Sequence, residues 1–288
     1  MPRPLNEMCH RGRRMRRPHE DLGRLCRYNP PMNINLLVIN IGNSRLAVGA
    51  FEKGELALTR RAALEDATAV ESAIAEGWAK LAEQADAEVC VASVNAERDE
   101  AVARVIQQAT GKIPSFVGRD VDLPMKVRTE KPEQTGVDRV LNVAAAYEQM
   151  QAACVVVDAG TAITIDVCND VGEFLGGAIA PGAQLMLDSL HEHTSKLPEV
   201  KLAKPAGPVG QSTEQAMLQG VYHGLRGMVK ELVEQYAEKF GNWPEIICTG
   251  GDAQLLFGGW ELIHAISPDL TLYGIALAYV DHHITHGS

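Results

Sequence analysis

Residues 155–167, VVVDAGTAITIDV, carry three β-branched residues into an Asp, a Gly and a small hydroxylic residue, and a second β-branched run ends in another Asp. That order suits a buried strand, a tight Gly turn and a returning strand, with Gly160 allowing a backbone geometry and a close approach that a side chain would block. Asp158 then stands at a strand end facing the turn, where it could serve a metal ion or a phosphate. An ordinary hairpin with polar ends would read the same way. A second candidate is TGVDRVLNVAAAYEQM at 135–150, which predicts a loop feeding a helix with Asp138 and Arg139 in or near its first turn. Free backbone N–H groups and the helix dipole favour anions there, and Arg139 adds a fork of donors suited to a carboxylate or phosphate. Asp138 also fits the plainer role of a favourable first-turn acid.

These side chains need elements to position them, and the chain supplies two sets. From Asn35, NLLVINIGNSRLAVGAFEKGELALTRRA reads as a strand, a Gly turn, a second strand, a turn at Lys53-Gly54 and a third strand. Helical spacing follows at 69–84, a buried strand at 88–94, a helix at 97–110 behind Asn95, and a short strand at 115–117. Residues 119–134 are polar and contain Pro, and they read as a loop. Laying Ile39-Asn40-Ile41-Gly42-Asn43-Ser44 over Val157-Asp158-Ala159-Gly160-Thr161-Ala162 aligns the two Gly turns at an offset of 158 − 40 = 118 residues. A repeat that long is a duplicated domain. The second copy has its third strand at 173–180, a helix after Pro181-Gly182, a Pro-rich loop at 195–211 and a long helix at 212–240, with Ser212 and Gln215 at capping-box spacing. A strand at 245–249, the Gly250-Gly251-Asp252 turn and a final helix near 270–280 complete it. Two α/β halves of order βββαβα, 33–150 and 151–288, with a cleft between them, are the expected architecture.

Composition narrows the partners. A formal charge of -10 and 46% hydrophobic residues in 288 describe a globular acidic chain, which disfavours nucleic acid as the main partner. No apolar run approaches the roughly 20 residues of a membrane span, so no membrane partner is expected. Six Cys without a CxxC pair, three of them in apolar β-branched runs, suit buried thiols in a reducing cytoplasm. Residues 1–32 hold eight Arg without apolar periodicity, and read as a disordered basic arm or as sequence upstream of a start at Met32. The Asp281-His282-His283 and His286 group reads first as a solvated C-terminal tail, with a metal site as the weaker alternative.

The motifs NIGNS (40–44), GVDR (136–139), DAGTAITID (158–166), GGAIAPG (176–182), HTSKLP (193–198), GQSTEQA (210–216) and TGGDA (249–253) occur in one order, and together they resemble the type III pantothenate kinases of the actin-like, sugar kinase and heat-shock ATPase superfamily. The resemblance implies a duplicated RNase H-like fold and ATP-dependent phosphorylation of pantothenate to 4'-phosphopantothenate, the opening step of coenzyme A synthesis. It implies that Asn40, Gly42, Asn43, Ser44, Arg45 and Thr161 bind ATP phosphates, with Gly250 and Gly251 against adenosine. It implies Asp138 as the catalytic base, Gly136, Val137, Asp138 and Arg139 around the substrate, and Asp158 on a monovalent cation, K+ or NH4+, with Mg2+ on the phosphates. Thr194 would reach the neighbouring subunit's site in a homodimer. The chain departs from the family pattern at Asn40, where an Asp is usual, and at Thr129, where an aromatic residue is common. A catalytically impaired relative that binds nucleotide or pantothenate and acts through partners is the alternative expectation.

Overall fold

The computed structural model describes residues 34–287, so the expectations for 1–32 lie outside the described residues. β1 (Leu36–Ile41), β2 (Arg45–Glu52), β3 (Glu55–Ala63), β4 (Glu88–Ser93) and β5 (Ser115–Phe116) form a sheet of order β3-β2-β1-β4-β5, with α1 (Ala67–Ala79) and α2 (Ala96–Thr110) in the crossovers. The chain then passes through β6 (Lys126–Val127), a 3-10 turn at Pro132–Gln134 and α3 (Val137–Met150). β7 (Cys154–Ala159), β8 (Ala162–Cys168), β9 (Glu173–Pro181), α4 (Ala183–Glu192), α5 (Thr213–Phe240), β10 (Glu245–Thr249), α6 (Ala253–Phe257), β11 (Ala265–Ile266) and α7 (Leu270–His286) follow. The second sheet runs β11-β10-β7-β8-β9-β6. Without β6 this is the first sheet's order repeated. In both copies the first three strands are antiparallel neighbours and the first and fourth are parallel.

The repeat extends to an irregularity. The register between second and third strands shifts at Ala50/Phe51 in one sheet and at Val167/Cys168 in the other, which are equivalent places. A β-bulge bends and twists its strand, so both hairpins curl alike. The turn at Lys53-Gly54 has φ of +51° and +82°, the left-handed pair that matches the twist of a tight hairpin.

Strand alternation separates the faces. Leu37, Ile39 and Ile41 of β1 pack with Val70 and Ile74 of α1 and Ile106 of α2, while Leu36 and Val38 pack with Leu141 of α3 and Leu272 and Ile275 of α7. In β7, Val155, Val157 and Ala159 join Leu187 of α4 and Val221, Leu225 and Val229 of α5, while Cys154 and Val156 join Val140 and Val143 of α3. Both central strands are thus covered on both sides, which is why they read as unbroken apolar runs. The layers run α1/α2, first sheet, α3/α7, second sheet, α4/α5/α6. α7, the last element of the chain, returns to pack on the first sheet beside α3. The two helices approach so closely at Gly274 that a Cβ there would overlap the Leu141 carbonyl. Arg61 of β3 ties this crossing down, its Nη2 donating to Pro268 O at 2.9 Å and to Asp269 Oδ1 at 2.5 Å.

Some expectations change. α1 stops at Ala79 instead of residue 84, because Lys80 N and Leu81 N turn to Gly77 O and Trp78 O and bring Leu81 into the core. The loop expected at 119–134 contains β6, which extends the second sheet by pairing with β9. β11 and α6 are too short for any periodicity to announce them. Asn95 precedes α2 but makes no side-chain cap, whereas Ser212 Oγ accepts from Gln215 N as expected. The C-terminal His group is not a tail: α7 continues through His286.

Candidate active site

Position 40 in β1 and position 158 in β7 are equivalent under the repeat, and each shares the face of its strand that looks into the α3/α7 layer. Asp166 lies directly across from Val156 in the β7/β8 register, so it joins that inner face one pair along. α3 brings Asp138 and Arg139 to the same place. Its first turn is not capped by a side chain at Gly136, and Asp138 Oδ1 instead accepts from Arg139 N at 2.8 Å. The plain first-turn role of Asp138 is therefore real, and it occupies one of the two oxygens.

The second shell is where the geometry adds residues that sequence reasoning did not single out. Asn142, buried on α3, donates through Nδ2 to Asp158 Oδ2 at 2.9 Å, and its Oδ1 accepts from Thr271 Oγ1 of α7 at 2.7 Å. That chain fixes Asp158 from both helices of the central layer. Asp166, 2% exposed, takes Nε and Nη2 of Arg139 in a forked ion pair, with Nε at 3.0 and 3.1 Å from its two oxygens. Arg139 is thereby held rigid. Its Nη1 makes no hydrogen bond among the described residues. A signal existed in the sequence: Asn142 is the one polar residue in the apolar run 140–146 and stands three residues after Arg139, which places both on one face.

Burial raises the pKa of all three carboxyls above the ordinary range. Asp158 is pushed up to about 6, chiefly by desolvation and then by the charge of Asp138, against the opposing Asn142 hydrogen bond. Desolvation also raises Asp138, partly countered by the Arg139 N–H, and raises Asp166, countered by the Arg139 guanidinium. Three carboxylates thus face one guanidinium in a water-poor site. Such an excess of negative oxygen calls for a cation, and all-oxygen donors suit hard ions such as Mg2+ or K+. Asn40 supplies a further oxygen: its Oδ1 is buried and accepts no hydrogen bond. The donor set fits the cations expected from the sequence.

The turns meet across the cleft. Ser44 Oγ and Thr161 Oγ1, one from each copy, lie 3.3 Å apart. Asp252 of the TGGDA turn feels the positive charge of Arg45, and a Cβ on Gly251 would come within 3.3 Å of Arg45 Nη1. Gly250 has φ +94°, and a Cβ there would sit 2.5 Å from Asp158 Oδ1. This glycine is required by the fold itself. Gly160 is not: it has no left-handed φ, and a Cβ there would make only ordinary contacts at 3.6 and 3.8 Å. The special backbone geometry expected of Gly160 is therefore absent, because Gly160 N closes the turn onto Ala162 O at 3.1 Å in an unstrained conformation. Thr194 stands apart from this cluster, exposed just beyond α4, with Oγ1 donating to Leu190 O at 2.8 Å.

The family model for type III pantothenate kinase matches residues 36–235. The chain belongs to that family. Proteins named Type III pantothenate kinase from Dehalococcoides mccartyi strain CBDB1 and Syntrophotalea carbinolica are 34% and 33% identical to it, over 85% of this chain and 95% and 98% of theirs. Among solved structures, one described as a Baf family transcriptional activator from Campylobacter jejuni superposes with TM-score 0.53 at 23% identity, covering 85% of this chain and 98% of that one. The activator of the 2-hydroxyisocaproyl-CoA dehydratase from Clostridium difficile, with bound ADPNP, gives 0.50 at 10% identity, over 88% and 97%. These likenesses carry the fold, that of the actin-like ATPases. As a member of the type III pantothenate kinase family, the chain keeps two duplicated sheets around an inner helical layer.

Proposed function

We propose that the chain phosphorylates pantothenate with ATP to give 4'-phosphopantothenate. The observation that carries this reading is the desolvated Asp138 carboxyl at the first turn of α3, beside Asp158 and the Arg139–Asp166 pair, in a member of this family. Asp138 accepts the proton of the substrate's primary hydroxyl, whose oxygen attacks the γ-phosphorus in line while the bond to the ADP oxygen breaks. Burial raises its pKa, which makes it a stronger base than an exposed Asp. Gly136, Val137 and Arg139 border the substrate, and the guanidinium hydrogens that Asp166 does not take pair with its carboxylate.

The turn residues Asn40, Gly42, Asn43, Ser44 and Arg45 of one copy and Thr161 of the other bind the ATP phosphates. The meeting of Ser44 with Thr161 supports this, since both hydroxyls then serve one ligand. Gly250 and Gly251 leave room for adenosine. Asp158 holds a monovalent cation, K+ or NH4+, and Asp158 with the Asn40 oxygen borders the Mg2+ that accompanies ATP. Bound cations neutralise charge that develops on the transferring phosphoryl group. Nothing in the site or the relatives favours the catalytically silent alternative.

A homodimer completes the reading, with Thr194 serving the partner's substrate site. Ile179 of β9 and Leu185 and Leu190 of α4, all large and exposed, supply apolar surface in the stretch leading to Thr194. No helix among the described residues is long and apolar enough to cross a membrane. Four free buried thiols, Cys90, Cys154, Cys168 and Cys248, support a cytoplasmic setting.

Purified protein with ATP, Mg2+, K+ and pantothenate should yield ADP and phosphopantothenate, and Asp138→Asn should lower kcat by roughly 10²–10⁴. Equal ADP release with and without pantothenate would overturn the assignment.

A further inference from the structure

The end of α7 carries a second constellation, remote in role from phosphoryl transfer. His282 and His286 are four residues apart on one face of the helix, and Asp122, from the segment between β5 and β6, reaches up to both. Asp122 Oδ2 lies 3.1 Å from His282 Nδ1 and 3.6 Å from His286 Nε2, and one ligand atom from each of the three residues falls within 4.8 Å of the others. A tetrahedral zinc ion with ligand bonds of about 2.0–2.1 Å holds its donors roughly 3.3–3.4 Å apart, so the two shorter separations already bracket that value.

His282 Nδ1 accepts the backbone N–H of Asp122 at 3.3 Å, so its lone pair points at the Asp122 segment and an ion would replace that long hydrogen bond. His286 Nδ1 faces the carbonyl of His282 at 3.0 Å and donates its proton there, which leaves the Nε2 lone pair turned toward Asp122. A ring nitrogen committed to a carbonyl is the usual way a metal-binding imidazole is fixed in one tautomer. His283 is excluded by position and not by its own Nδ1 contact to Tyr279 O: its ring lies against Tyr279, and its nitrogens do not converge with those of the other three residues. Beside the cluster opens a cavity of about 350 Å³ lined by Asp122, Leu123, Pro124 and Asp281, with space for a water and a second acidic group nearby.

We propose that Asp122, His282 and His286 form a binding site for a borderline divalent transition ion, Zn2+ being the reference case, with water in the fourth position. The ion would join the last turn of α7 to the segment that leads into α3. Two imidazoles and one carboxylate are the wrong donors for Mg2+, which prefers oxygen, so the site is chemically separate from the ATP site.

The test is a Zn2+ titration of the full 288-residue chain in saturating Mg2+, against His282→Ala/His286→Ala as the background for all other donors. Wild-type protein should bind one Zn2+ more than the double variant. Asp122→Ala and His286→Ala should each weaken that binding at least tenfold, and His283→Ala should leave it unchanged. Circular dichroism without zinc should be the same for all variants, since these side chains sit at an exposed helix end. Anomalous diffraction at the zinc edge should place the ion between His282 Nδ1 and His286 Nε2. Equal zinc binding by wild-type and double variant, or a peak elsewhere, overturns the proposal.

Discussion

Replacing Asp158 by Asn should make the cation-free protein more stable at neutral pH. The native carboxyl has its pKa pushed up from 3.8 to about 6, so the folded state holds its proton more tightly than the unfolded chain does. Between those two values the unfolded state ionises first. Stability therefore falls as pH rises through the window, and the full cost is present above about pH 6. A displacement of roughly 2 units corresponds to at most about 3 kcal/mol, since Asp158 is only part-buried and residual solvent contact screens some of it. Asn keeps an oxygen to accept from Asn142 Nδ2 without bringing a charge. For a chain of this size about 3 kcal/mol shifts the midpoint by roughly 6–12 °C. The assay is thermal denaturation from pH 4 to 8 in chelator and without K+. Wild type and Asp158→Asn should coincide at the acid end and separate steadily toward pH 8, the variant being the more stable. Adding Mg2+, K+ and ATP should raise the wild-type midpoint and close the gap from the other side. Parallel pH profiles for the two proteins in chelator would refute the premise that an uncompensated carboxylate is buried at this position.

Three other outcomes follow from neighbouring contacts. Gly250→Ala should destabilise by about 1–3 kcal/mol in urea titration, because its φ of +94° and its approach to Asp158 both exclude a Cβ. Asn40→Asp should tighten Mg2+-ATP binding or raise turnover by adding charge at an oxygen that now has no partner; unchanged values in both would mean the site is organised without it. If the proposed homodimer forms through this surface, light scattering should show wild type as a dimer and Leu190→Glu as a monomer with a raised KM for pantothenate, and a fully active monomer would contradict a site shared through Thr194.

Much of the architecture is local chemistry and so was legible in the chain. Central strands buried on both faces must be continuously apolar, which marked 36–41 and 154–159 at once. The hairpin at Lys53-Gly54, the Ser212 cap and the 118-residue echo likewise depend on neighbours in sequence, and each appears in the structure. β6, β11 and α6 do not, because two to five residues have no period to read and exist only through the edges they meet.

The site divides along the same line. Residue types alone singled out Asp158 for a metal ion or a phosphate and the Asp138-Arg139 helix start for an anion, while the proton-accepting role of Asp138 came only from the family resemblance. Only the tertiary structure decided that α7, coming from the end of the chain, closes against α3 and brings Thr271 to Asn142 and Asn142 to Asp158. The same closure removes water from three carboxylates, and their raised pKa values are a property of that burial which no spacing in sequence encodes. It also decided between the two glycines: Gly250, which reads as ordinary turn chemistry, is sterically obligatory against Asp158, while Gly160 is not constrained by the fold. The His group at the C-terminus changed most, from a polar string to one face of a helix opposed by Asp122, a residue 160 positions away.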